Sequence, residues 1–94
     1  MREYELMLVL DPTLDEEATK SATDRVGGFV SGRGGEVLGI DPLGRRRMAY
    51  AISRHRDAIY TIARFKVAPS AAEELDRQLK LNEQVLRHLM IRKD

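Results

Sequence analysis

The sequence contains no cysteine and no tryptophan, and only three tyrosines and two phenylalanines among its 94 residues. Because the chain has no thiol group, it can form no disulfide, no thiol-based active site and no zinc–thiolate site. No apolar run approaches the roughly 20 residues that a membrane-spanning helix needs. Acidic residues follow Met1-Arg2, where a signal peptide would carry a basic end and a long apolar core. We therefore expect a cytoplasmic protein that makes no membrane contact.

Catalytic and metal-binding patterns are also missing. His55 and His88 have no metal-ligand spacing to another ligand residue, and the serines form no Gly-x-Ser-x-Gly elbow. The glycine-rich segment 32–35 follows a predicted helix and precedes a strand, the reverse of a phosphate cradle. The loop 10–13 after the first strand lacks the arginine and glycine that acylphosphatase chemistry needs. We predict no enzyme, no metal, no cofactor and no small-molecule substrate.

The charges are divided unevenly along the chain, although the net charge is only +1. Residues 1–43 hold four Lys/Arg and nine Asp/Glu, whereas residues 44–94 hold twelve and six. Such a division is typical of a protein with an anionic partner, because one region then has a strong positive field. The alternative is chance segregation along the sequence that the fold mixes again in space.

The strongest local feature is Gly44 followed by Arg45, Arg46 and Arg47 and then a strand-like apolar run. Glycine gives the backbone freedom before the charges. In an extended chain Arg45 and Arg47 point to one side and Arg46 to the other, so at least one must lie at a bulge, a sheet end or an open face. This arrangement favours contact with a phosphate backbone. A solvated strand end remains the alternative.

Hydrophobic periodicity predicts six elements. Two helices are expected to begin at capping boxes, Thr13 with Glu16 and Ser70 with Glu73. The glycines at 27–28 should weaken the first helix, unless close approach to the sheet explains them. The second helix should end near Asn82. Four strands are expected at 4–10, at 36–53 with an interruption at Asp41-Pro42, at 58–67 after a polar turn at 54–57, and at 85–91.

The order βαββαβ predicts an α+β, ferredoxin-like fold in a single domain over residues 1–94. We expect a four-stranded antiparallel sheet of order 4-1-3-2, with both helices on one face. No other element of the chain remains to cover the opposite face. This open face should carry Met7, Val9, Tyr60, Ile62, Arg64 and Lys66, which indicates a partner surface or merely scattered apolar groups. Tyr60 is its single aromatic, so base stacking should be weak and phosphate contact through arginine more important.

Several motifs resemble one known family. The segment Gly44-Arg45-Arg46-Arg47-Met48-Ala49-Tyr50-Ala51-Ile52 is similar to the signature of the protein six family of the bacterial small ribosomal subunit, with Met48 replacing the usual leucine. The start Met1-Arg2-x-Tyr4-Glu5, the pair Asp11-Pro12 and the segment Asn82-Glu83-x-Val85-Leu86-Arg87 also resemble that family. The similarity covers essentially the whole chain.

The resemblance implies a non-catalytic structural role in the cytoplasmic ribosome. The protein would bind 16S ribosomal RNA in the platform of the small subunit, together with the eighteenth small-subunit protein. The alternative is a protein-interaction module for which RNA contact is incidental. Antiparallel pairing of the first and last strands predicts that Arg2, Arg92 and Lys93 cluster. We expect phosphate contacts from Arg2, Arg46, Arg47, Arg87, Arg92 and Lys93. We expect contacts with the partner protein from Tyr50, Tyr60, Ile62 and Arg64.

Overall fold

Four antiparallel strands form one sheet in the computed structural model, which describes residues 1–52 and 54–94. The strand order is β2-β3-β1-β4, which is the predicted order read from the other edge. This confirms the predicted α+β, ferredoxin-like arrangement. The elements in chain order are β1 (Arg2–Leu10), α1 (Glu16–Gly32), β2 (Glu36–Ile52), β3 (His55–Val67), α2 (Pro69–Leu81) and β4 (Val85–Arg92).

The core lies between the sheet and the two helices. Alternate residues of β1 point toward the helices, and Leu6, Leu8 and Leu10 are almost fully buried. They pack with Phe65 of β3 and with apolar residues of both helices in one cluster. Burying each such side chain contributes about 1.5–3 kcal/mol. Both helices therefore cover the same face of the sheet, as predicted.

The two predicted capping boxes are wrong. Asp15 caps α1, since its carboxylate accepts the Ala18 N–H at 2.7 Å. Thr13 instead donates to the carboxylate of Asp11, in the turn that ends β1. Ala68 stands at the N-cap of α2, without a side-chain cap, because Pro69 already fixes the first helical φ and needs no hydrogen bond there. Asn82 ends α2 as expected.

In the hairpin of β2 and β3, β2 is uninterrupted and β3 begins earlier than predicted. β2 continues through Asp41-Pro42, where the ladder absorbs the proline by a shift of register between Pro42 and Gly44. Gly44 has φ +80° at this shift, which confirms the predicted need for a flexible residue. β3 already begins at His55, so the polar turn predicted at 54–57 is mostly strand. The predicted strand end at Ser53 lies outside the described residues.

Candidate functional site

The three arginines at 45–47 (the arginine triplet) lie on β2 at the end of the sheet where β1 stops. Their partners on β3 are Ile59, Ala58 and Asp57, so they alternate between the two faces as predicted. All three are exposed. Arg45 donates to the Pro12 carbonyl at 2.9 Å and Arg46 to the Leu43 carbonyl at 3.3 Å. Among the described residues none of the three forms an ion pair with a carboxylate, so the triplet keeps its positive charge.

Arg2, Arg92 and Lys93 (the terminal cluster) lie at the opposite end of the sheet. The Lys93 N–H donates to the Glu3 carbonyl at 2.9 Å, which continues the pairing of β1 with β4. The carboxylate of Asp94 lies 4.0 Å from Arg2 Nη1 and 3.2 Å from Arg92 Nε. The predicted clustering is therefore present. Asp94 thus lies near both arginines, and Glu3 is the backbone partner of Lys93, so acidic residues lie among the three cations.

Arg87 belongs to neither group of cations. It pairs with Val9 and faces away from the helices. Its Nη1 donates to the hydroxyl of Tyr50 at 2.7 Å. The structure thus joins a residue predicted to bind RNA to a residue predicted to bind the partner protein. Since β1 has nine residues, the triplet and the terminal cluster are separated by about 26 Å along the sheet.

The prediction that no part of this chain covers the open face is partly wrong. Residues 48–52 (the hairpin end) fold over the open face at the end near the triplet, and Val9 is only 6% exposed as a result. The physical reason is a register shift between the pairs Arg47–Asp57 and Ile52–His55. Four residues of β2 lie between these pairs, but only one residue of β3 does. The extra residues let the strand bend away from the ladder.

Among residues 1–52 and 54–94, none covers the rest of the open face. Ile62 is half-buried there, and the Arg64 guanidinium lies against Gly39. Leu89 and Ile91 are 47% and 44% exposed on the same face. Sequence reasoning missed these two residues. The alternation of β4, combined with the predicted β1–β4 pairing, is the signal that could have found them.

His88 lies on the other face of β4, where its Nε2 is 2.7 Å from the Asp76 carboxylate of α2. The hydrogen bond from His88 lowers the pKa of Asp76, against the opposing effect of desolvation, with a further contribution from Lys80. His55 lies 3.8 Å from Asp11. Residues 1–52 and 54–94 contain no group of three possible metal ligands. Each histidine thus lies near one carboxylate, His88 near Asp76 and His55 near Asp11.

A family model described as "Ribosomal protein S6" matches residues 3–92 of this chain. The chain belongs to the ribosomal protein S6 family. Small ribosomal subunit protein bS6 of Carboxydothermus hydrogenoformans is 44% identical over all of this chain and 98% of its own length. The bS6 protein of Mycobacterium tuberculosis H37Rv is 46% identical with the same coverage. These matches confirm the family resemblance seen in the sequence.

Solved structures agree with S6 membership. The S6 crystal structure from Thermotoga maritima superposes with a TM-score of 0.91 at 25% identity, over 98% of this chain and 87% of that one. The C-terminal domain of MgtC from Mycobacterium tuberculosis, at 16% identity and a TM-score of 0.67, shares the fold alone. As an S6 protein the chain is a constituent of the small ribosomal subunit, and its cytoplasmic location follows from that membership. In the part of the chain that the structure describes, no helix is long and apolar enough to cross a membrane.

Proposed function

We propose that this protein binds 16S ribosomal RNA in the platform and holds the eighteenth small-subunit protein on its open face, without catalysing a reaction. Two groups of exposed cations at opposite ends of one sheet carry this proposal. The apolar residues between them stay uncovered by the helices. A structural protein of an RNA assembly needs such a combination, because phosphates require charge and a protein neighbour requires apolar area.

The spacing of the cations favours a long polyanion. Arg46 and Arg47 lie at one end of the sheet, and Arg2, Arg92 and Lys93 lie about 26 Å away along the strands. A single phosphate cannot reach both groups, whereas an RNA strand or helix spans this distance. Arg87 is the sixth predicted contact and lies on the open face opposite Val9, nearer to the triplet than to the terminal cluster. Arginine contacts of this kind position RNA by its backbone.

The partner protein is proposed to cover the uncovered half of the sheet. Ile62 and Arg64 lie on the central strand β3, and Tyr60 precedes them on the same face. Tyr50 is 61% exposed on the hairpin end. Apolar side chains among cations are typical of a protein interface, in which an apolar centre is surrounded by a polar rim.

The test is a salt titration of binding to platform RNA in the presence of the partner protein. Each phosphate contact contributes about −0.9 to the slope of log affinity against log salt. Arg46→Gln with Arg47→Gln should therefore make the slope less negative by about two. The control is Arg25→Gln with Arg77→Gln, which removes two exposed charges from the helices and should leave the slope unchanged. A wild-type affinity that is independent of salt would contradict the proposal.

The second candidate is a protein-interaction module for which RNA contact is incidental. The exposure of Leu89 and Ile91 is the observation that favours it. Reversing the charges with Arg46→Glu and Arg47→Glu separates the two candidates. Loss of RNA affinity with intact partner binding supports the RNA-binding role. Intact RNA affinity with failed partner binding supports the second candidate.

A further inference from the structure

The hairpin end does not seal the sheet surface that it covers. A cavity of about 270 Å³ remains between the two, lined by Met7, Val9, Met48, Ala49, Tyr50 and Tyr60. Most of this lining is aliphatic or aromatic. Tyr50 stands at the opening, held there by its hydrogen bond with Arg87. The cavity is therefore an apolar pocket whose entrance carries a cation.

The size and chemistry of the cavity suit a single apolar side chain. Pockets for small-molecule ligands are about 300–1,000 Å³ and combine an apolar lining with a few polar groups that orient the ligand. This cavity is smaller. Its polar groups are Arg87, His88 and the hydroxyls of Tyr50 and Tyr60. Arg87 and Tyr50 are bonded to each other, and His88 is bonded to Asp76 on the other face of β4. A nucleobase would bury polar edges against Met7, Val9 and Met48, which offer no hydrogen bonds. An aliphatic or aromatic residue of a protein has no such cost.

The charges near the opening add a second element of recognition. Arg87 uses one of its five N–H donors on Tyr50, so its fork can also donate to an acceptor outside the cavity. Arg46 faces the same side, opposite Ala58. The acidic residues Glu3 and Glu5 lie toward the other end of this face, as the strand register shows. A carboxylate at the opening would therefore meet positive charge.

We infer that this cavity receives one apolar anchor residue of the partner protein, followed or preceded by an acidic residue that Arg87 binds. This inference rests on the proposed function and specifies how the partner is held. Buried anchors in such pockets supply most of the binding energy of protein interfaces. Leu89 lies beside the opening and joins the cavity to the exposed apolar residues of β4.

Methionine methyl groups allow a direct measurement without any substitution. Of the four methionines, Met7 and Met48 line the cavity, Met90 packs against the core on the helix face and Met1 is exposed at the terminus. The protein labelled at its methionine methyls is mixed with the purified eighteenth small-subunit protein. Intermolecular nuclear Overhauser effects from apolar protons of the partner to Met7 and Met48, and none to Met90, are expected. The converse pattern would overturn the inference.

A matched pair of variants tests the energetic role. Ala49→Leu fills the cavity from its rim, whereas Ala51→Leu adds the same atoms at an exposed residue of the hairpin end that does not line the cavity. We expect Ala49→Leu to weaken partner binding by about tenfold or more, and Ala51→Leu to leave it within about twofold. Equal affinities for the two variants would overturn the inference while leaving the proposed function intact.

Two further outcomes are distinguishable. If the wild-type protein does not bind the eighteenth protein at all, the proposed partner is wrong and the inference fails with it. The same measurement is repeated with platform RNA added to the two proteins. If nuclear Overhauser effects then reach Met7 and Met48 from RNA protons and none from the partner, the cavity binds a base and the inferred protein anchor is wrong. Should Ala49→Leu fail to fold, the methyl measurement on the wild-type protein still decides the question.

Discussion

The two faces of the sheet are built from the same strands but meet different surroundings. On the helix face, Leu6, Leu8 and Phe65 are almost completely buried by the helices of the chain itself. On the open face the hairpin end buries Val9, while Leu89 and Ile91 remain about half exposed. The helix face therefore stabilises the isolated protein. The open face keeps apolar area that the described residues leave uncovered, and we propose that a neighbour in the assembly binds there.

The largest expected effect comes from truncating one leucine on each face. Leu6→Ala leaves a cavity under the helices and should lower the free energy of unfolding by about 2–5 kcal/mol. Leu89→Ala, on the neighbouring strand but on the open face, should change it by less than about 0.5 kcal/mol. Urea denaturation measures both. Similar losses at the two positions would remove the distinction between the faces.

Two glycines extend the comparison, because one lies at a packed position and the other faces outward. A Cβ on Gly35 would collide with the Lys66 carbonyl and the Val67 side chain, so Gly35→Ala should cost about 1–3 kcal/mol. Gly28, on the outward side of α1, has nothing within 4 Å of an added Cβ. Gly28→Ala should stabilise the protein by about 1 kcal/mol through helix propensity. Opposite shifts in Tm are expected, and a destabilised Gly28→Ala variant would contradict this.

The smallest expected effect concerns pH and the contact of His88 with Asp76 on the helix face. The folded pKa of Asp76 lies below its ordinary value of 3.8, chiefly because His88 donates to it. Asp76 therefore binds a proton more readily in the unfolded chain than in the folded protein. The stabilisation from its contact with His88 is complete above about pH 3.8 and is lost as the pH falls through the folded pKa.

Asp76→Asn tests this link. The difference in unfolding free energy between the wild-type protein and the variant should stay below about 1 kcal/mol, because the side chain of Asp76 is 36% exposed and solvent screens the pair. The difference should shrink as the pH falls below about 3.8. A difference that grows on acidification would show that the contact acts in another way.

Periodicity was sufficient to predict the layers of the fold. The alternation of Tyr4, Leu6, Leu8 and Leu10 assigned these residues to one face of β1. The βαββαβ order predicted the central place of β1 and the face that the helices cover. Helix starts were less predictable, because Thr13, Asp15 and Ser70 are all good capping residues. Local turn geometry selected Asp15 for α1, and Pro69 made a side-chain cap unnecessary for α2.

The candidate site was predictable where strand pairing alone determines it. Antiparallel pairing of β1 with β4 brings Arg2, Arg92 and Lys93 together without any knowledge of side-chain packing. The contact between Arg87 and Tyr50 could not be predicted, since it depends on the large register shift after Arg47. Such a shift has no clear sequence signal, and it decides which part of the open face is covered.

Hydroxyl-radical footprinting of the protein alone and within the assembled small subunit tests the central claim most directly. Tyr50, Leu89 and Ile91 report on the open face, and Leu81, which is 84% exposed on α2, reports on the helix side. The account predicts that assembly strongly slows oxidation of the first three residues and leaves Leu81 reactive. Protection of Leu81 with undiminished oxidation of the open-face residues would contradict it.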